Sequence, residues 1–267
     1  EETDIDTADL CCRRIKRIVA CDGVKFLTKY LAAGSGQTKE AATRALRQIA
    51  VEQSVRGLIV QQGALKACCT AAVDEENKKS TRLECAHAVA KTLVTTNPTL
   101  LSEHQRLGCI KPLLLLCHDS TATELQHFEA LLALTNVLSC GEAEQEKFAA
   151  EKGVHAVHYL IFSDNWMVRR AATETLCNMA SSEHVLKLLR VSEKLKLWLG
   201  LCEEGEVRER YLTARAAAGT LAVAAGADAE VCSALVSLDC ARTLTALLES
   251  AKPELVHRAL VWITEMV

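Results

Sequence analysis

The sequence predicts an all-α fold in which about six three-helix repeats stack into a right-handed superhelical solenoid over 1–267, and three observations predict it. The composition is 49% apolar with 4% aromatic residues and three prolines, which suits thin helices packed through Ala and Leu and leaves little room for long linkers. Glycines at 23, 63, 108 and 153 each introduce a similar helical stretch, at intervals of 40, 45 and 45 residues. Lys194 and Asp239 continue the series without glycine. Each period then divides into three helical stretches, the first of them short. A helical period of about 40 to 47 residues marks armadillo and HEAT arrays, and the short first helix selects the armadillo type.

Within a repeat, the short first helix, as at 54–60 and 143–150, ends at the glycine, which is expected to take the positive φ of a sharp turn. A second helix follows. A polar break such as Gly34-Ser35-Gly36 or Asp74-Glu75-Glu76-Asn77 separates it from a longer third helix. The third helices are expected at 39–50, 82–95, 125–139, 169–180, 211–225 and 254–267. They are Ala-rich, so neighbouring backbones can approach closely, and they are expected to line the concave side of the superhelix.

Several functions are excluded early. A net charge of −3 provides no global field for nucleic acid or an anionic membrane. The one dense basic run, Arg13-Arg14-Ile15-Lys16-Arg17, lacks interleaved aromatics and reads as a solvated helix face with Ile15 and Ile18 turned inward. The longest apolar runs, such as 112–117, are too short to cross a bilayer, and no secretory signal opens the chain. A cytoplasmic protein is expected, and a start at Glu1 with an end inside a helix at Val267 suggests a piece of a larger one.

Thirteen cysteines without a C-x-x-C are expected to be reduced, with Cys85, Cys177, Cys202 and Cys232 at apolar helical positions. The adjacent pairs Cys11-Cys12 and Cys68-Cys69 point to different helix faces. His155 and His158 could both face a zinc ion, but no third ligand accompanies them, so a half-buried pair is expected. Trp166 is expected to pack beneath an inter-helix loop. No catalytic constellation, metal or cofactor is expected, and the chain reads as a binding protein and not as an enzyme.

The candidate site is a polar ladder. Gln48, Lys91, Asn136 and Asn178 follow their glycines by 25, 28, 28 and 25 residues, near the ends of successive third helices. One turn back, Arg44, His87, Leu132 and Glu174 share the same face and are expected to be exposed. A carboxamide can donate to a carbonyl and accept from an N–H of an extended ligand segment. Alternatively, Asn136 and Asn178 satisfy free carbonyls at helix ends. The tryptophans an importin-type receptor would place on this stripe are missing.

Three segments carry a family resemblance. Arg56-Gly57-Leu58-Ile59-Val60-Gln61-Gln62-Gly63, Phe128-Glu129-Ala130-Leu131-Leu132-Ala133-Leu134-Thr135-Asn136 and Arg169-Arg170-Ala171-Ala172-Thr173-Glu174 with Cys177-Asn178-Met179 resemble the UCS domain of myosin-directed chaperones. Weaker matches at Ala86-His87-Ala88 and His257-Arg258-Ala259-Leu260-Val261 extend the likeness from Val51 to the C-terminus. The resemblance implies an armadillo solenoid that holds the myosin motor domain along its third helices, with Phe128, Glu129 and Arg170 joining the ladder in the groove. It implies a co-chaperone that assists motor folding or prevents aggregation; the alternative is a generic armadillo adaptor for a peptide of a native partner. Animal members of the family recruit a heat-shock chaperone through an N-terminal TPR domain, and this chain contains no TPR pattern. Phe128 stands where the family usually has Tyr. Val223 and Glu265 occupy the last two ladder places, so the C-terminal end is expected to bind differently.

Overall fold

A computed structural model describes residues 2–203 and 210–267, which form seventeen α-helices and no strand. The helices group into two compact units, Glu1–Cys140 and Gly141–Val267, each holding three of the six repeats. In the first unit, α1 (Glu2–Ala20), α2 (Gly23–Ala33) and α3 (Gly36–Ile49) are followed by a 3-10 turn at Gln53–Val55 and by α4 (Arg56–Gln61), α5 (Ala64–Val73) and α6 (Lys79–Leu93). A two-helix repeat, α7 (Glu103–His118) and α8 (Glu124–Leu138), completes it. The second unit comprises α9 (Glu142–Ala150), α10 (Gly153–Leu160) and α11 (Trp166–Cys177), then α12 (Glu183–Leu189), α13 (Ser192–Glu203) and α14 (Tyr211–Ala227), and finally α15 (Ala229–Ser237), α16 (Cys240–Leu248) and α17 (Pro253–Met266). The all-α armadillo architecture is therefore as the period predicts, with α3, α6, α8, α11, α14 and α17 as the third helices.

The third repeat departs from the pattern. No break occurs at Gly108, because α7 runs through it from a capping box in which Ser102 and Gln105 satisfy each other's backbone N–H groups. The first and second helices are fused there, and a Cβ on Gly108 would meet open space. Similarly, Lys194 lies in the first turn of α13 instead of ahead of it.

At the other junctions the left-handed turn is present, but glycine supplies it once only, at Gly63 with φ 76°. Asp22, Lys152 and Asp239 take the positive φ at their junctions, at 57°, 62° and 55°. Gly23 and Gly153 serve instead as points of close approach. A Cβ on Gly153 would lie 2.4 Å from the ring of Phe148, and one on Gly23 would lie 2.4 Å from Ile18 Cγ2. Phe148 is fully buried, so its ring has nowhere to retreat.

Small side chains are buried between neighbouring third helices. In the second unit α14 packs against both α11 and α17, burying Ala214, Ala217, Ala218, Ala222 and Ala225. The alanines are thus seams between helices, and longer polar side chains form the outer rim. Trp198 and Trp262 are fully buried, while Trp166 heads α11 partly exposed. The basic run lies on α1 as expected, but Ile18 does not turn inward: it is 45% exposed, beside an apolar hollow lined by Ile15, Phe26 and Tyr30. Among the described residues no single helix is long and apolar enough to cross a membrane.

Two glycine substitutions separate these roles. Gly153→Ala should destabilise the chain by about 1–3 kcal/mol through overpacking against Phe148. Gly108→Ala should be neutral or stabilising by up to about 1 kcal/mol, because it removes an interior helical glycine without a clash. Urea denaturation followed by ellipticity measures both, and equal destabilisation by the two would contradict the assignment of roles.

Candidate partner-binding surface

In the first unit the third helices are stitched together by carboxylates at equivalent places, Glu84 on α6 and Glu129 on α8, 45 residues apart. Arg47 on α3 donates from Nε to Glu84 Oε2 at 3.1 Å, while Arg44 lies 3.9 Å from Glu84 and pairs with Glu40 on its own helix. Glu129 is held in the same way from α6. His87 Nε2 is 3.0 Å from Glu129 Oε2, and Lys91 Nζ donates to Glu129 Oε1. Gln126, which also caps α8, reaches His87 Nδ1 at 3.4 Å.

These bonds revise part of the expected site. His87 and Glu129 are buried, at 9% and 5% exposure, because they satisfy each other across the seam. The stripe one turn behind the ladder is therefore interrupted at His87, although Arg44 is exposed and Leu132 and Glu174 are partly so. Burial pulls the Glu129 carboxyl upward, yet the hydrogen bonds from His87 and Lys91 outweigh it and hold the group below the usual carboxylate range.

The ladder itself divides. Asn136 Nδ2 donates to the carbonyls of Leu93 at 3.2 Å and Val94 at 3.0 Å, the last turn of α6, so the helix-end reading holds for it. Arg56 does the same for α3, donating from Nε to Ala50 O at 2.7 Å. Lys91 is engaged with Glu129. Gln48 and Asn178 are exposed, and the Asn178 carbonyl accepts from Gln145 Nε2 at 3.0 Å. On α8, Leu125 is 57% exposed and Phe128 and Leu132 are partly exposed, so one helix face presents an apolar stripe.

A second charged row runs through the other unit. Arg170 Nε bonds Glu174 Oε1 at 3.0 Å on α11, Glu174 lies 3.9 Å from Arg215 on α14, and Arg215 lies 3.7 Å from Glu254 on α17. Sequence reasoning overlooked Arg47, Glu84, Arg215 and Glu254. The 45-residue repeat of Glu84 and Glu129 is a signal that could have found the first row.

The remaining motifs are structural. All thirteen cysteines are free thiols; Cys85 and Cys202 are buried, and Cys177 and Cys232 partly so. Cys68 and Cys69 are both buried in α5, with Cys69 Sγ 3.6 Å from Cys109 Sγ. Burial pushes the Cys117 thiol up to about 12 and the Cys85 thiol to about 11. His155 is exposed and His158 half-buried. Among the described residues no group of three or more His, Cys, Asp and Glu is placed to hold a metal ion.

No family model matches the chain. Over 271 residues it is 31% identical to Protein unc-45 homolog B of Xenopus tropicalis, a match that spans 98% of this chain and 28% of that protein. The structure of UNC-45 from Drosophila melanogaster superposes with a TM-score of 0.88 at 28% identity, covering 99% of this chain and 33% of that one. The myosin chaperone UNC-45 from C. elegans, solved in complex with an Hsp90 peptide, gives a TM-score of 0.82 at 22% identity over 95% of this chain and 28% of that one, a likeness of fold. Across nearly its whole length the chain is homologous to UNC-45 homolog B, in keeping with the UCS-domain family its segments resemble, and it spans about a third or less of these relatives' length.

Two measurements test the seam. Asn136→Ala should lower stability by about 1–2 kcal/mol, since it leaves helix-end carbonyls of α6 unpaired. Equal melting temperatures for parent and variant would restore Asn136 to a purely ligand-facing role. Because the folded Glu129 titrates below its unfolded value, the unfolded chain binds the extra proton first. The stability Glu129 contributes is complete above about pH 4.3 and lost as pH falls through its lower folded value. Glu129→Gln should therefore flatten the acid limb of a stability profile measured by denaturant titration.

Proposed function

We propose that the chain is the client-holding part of a myosin-directed co-chaperone, which binds the myosin motor domain on its third-helix face and keeps it from aggregating during folding. The observation that carries the reading is the 31% identity to unc-45 homolog B across nearly the whole chain. The C. elegans relative is a myosin chaperone, and the fold is shared with it. The action proposed is binding without chemistry. Large multidomain proteins expose apolar surface and strand edges while folding, and covering these competes with self-association.

The surface available for this work is narrower than the sequence suggests. Arg44, Gln48, Phe128, Leu132, Arg170, Glu174 and Asn178 keep exposed atoms, while His87 and Glu129 position the helices from behind. Lys91 and Asn136, partly exposed, belong to both groups. The apolar stripe of Leu125, Phe128 and Leu132 is the patch best suited to non-native client segments. Burying such side chains contributes about 1.5–3 kcal/mol each.

Light scattering of a heated myosin motor tests this. The chain should suppress aggregation at near-stoichiometric amounts, and the double variant Leu125→Asp with Leu132→Ser should need at least about ten times more protein for the same effect, with helical content retained. Undiminished aggregation in the presence of the parent chain, together with binding to a short peptide of native partner sequence, would transfer the assignment to an adaptor.

A further inference from the structure

His155 and His158, which no metal or partner reading absorbs, lie beside a concentration of positive charge in the second unit. A cleft of about 240 Å³ is lined by Lys152, His155, His184, Lys187 and Lys194, with Val154 and Leu188 among its apolar walls. The five basic groups come from the α9–α10 junction and from α12 and α13, so two successive repeats build the site. No acidic residue lines it.

The carboxylates nearby reach two of the five basic groups, His184 and Lys187, and leave the other three. Glu151 takes Lys147 at 2.7 Å, and Glu183 takes Arg190 at 2.8 Å while lying 3.8 Å from Lys187. Glu146 pairs with His184 at 3.1 Å. Among the described residues Lys152, His155 and Lys194 have no ion-pair partner. The backbone adds to the field. Val154 and His155 belong to the first turn of α10 and Lys194 to that of α13, so the positive ends of two helices meet at the cleft.

A second histidine of α10 lies close to this group of charges. His158, on the same helix, is half-buried against Phe162, and its Nε2 has no hydrogen-bond partner. Its pKa is pushed down to about 4, first by burial and then by Lys194 and His155.

We propose that this cleft binds an acidic segment of a protein partner, whose carboxylates are received by Lys152, Lys194 and His155, with Lys187 at its edge. A segment with several carboxylates fits better than a single small anion because the basic groups are spread along the cleft over two successive repeats, on the α9–α10 junction and on α12 and α13, so one chain can meet them in turn. Nucleic acid fits poorly, since no Phe, Tyr or Trp lines the cleft for bases to stack on. The site is separate from the third-helix face and does not depend on the identity of the client held there.

Fluorescence anisotropy with a labelled Glu- and Asp-rich decapeptide tests the proposal. The parent chain should bind it, with affinity falling as NaCl rises from about 50 to 300 mM, a range over which exposed charges are increasingly screened. The double variant Lys152→Glu with Lys194→Glu should lose at least tenfold in affinity at unchanged ellipticity. Lys25→Glu with Lys29→Glu on α2, both exposed, changes net charge equally and should bind like the parent. Equal loss in both double variants would overturn the proposal, because only bulk charge would then matter. Absence of peptide binding, displacement of the peptide by stoichiometric pyrophosphate, or tighter binding of a single-stranded oligonucleotide that the cleft variant abolishes would overturn it as well.

Discussion

Close lateral approach of neighbouring third helices is the constraint on which the rest of each unit depends. Alanine seams permit it, as with Ala214, Ala217 and Ala218 on α14, but a row of small side chains cannot by itself fix which turn of one helix faces which turn of the next. Longer polar groups at the rim do that. Glu84 receives Arg47, and Glu129 receives His87 and Lys91, so adjacent helices in the first unit are pinned at matching heights. A buried carboxylate needs such partners to remain charged, and in meeting that need the pairs consume groups that would otherwise be available to a ligand. What remains outside is an apolar stripe on α8 and a scatter of exposed polar residues, the surface proposed above for holding a client.

The architecture was largely legible because it rests on local chemistry repeated many times. Helix-forming residues, polar breaks and a period of 40 to 45 residues are visible without tertiary information, and all six third helices fall near their expected bounds. Gly108 was misleading since its repeat begins with the Ser102 capping box, and a strong helix start five residues upstream overrides a single interior glycine. Gly23 and Gly153 were correctly marked as junctions for an incorrect reason. Their value is the missing Cβ beside Ile18 and Phe148, a clash that depends on how two helices pack.

The site was less legible, for a related reason. Whether a polar residue near a helix end faces solvent or a neighbour is decided by a partner some 40 residues away, as with Asn136 and the carbonyls of Leu93 and Val94. Side-chain spacing within one helix places His87 correctly on the third-helix face. It cannot reveal that Glu129 lies 3.0 Å across the seam. Segments that mark the family, including Arg56 and Asn136, thus hold the scaffold at least as much as they present a surface.

The distribution of the three tryptophans has an optical consequence. Trp166, Trp198 and Trp262 all belong to the unit Gly141–Val267, and Trp198 and Trp262 are enclosed completely. Indole emission therefore originates in that unit alone, while far-ultraviolet ellipticity sums the helices of both. The first unit is spectrally silent in the indole channel, so the native chain carries its own clock for ordering the loss of one half against the other, without a label or a cut.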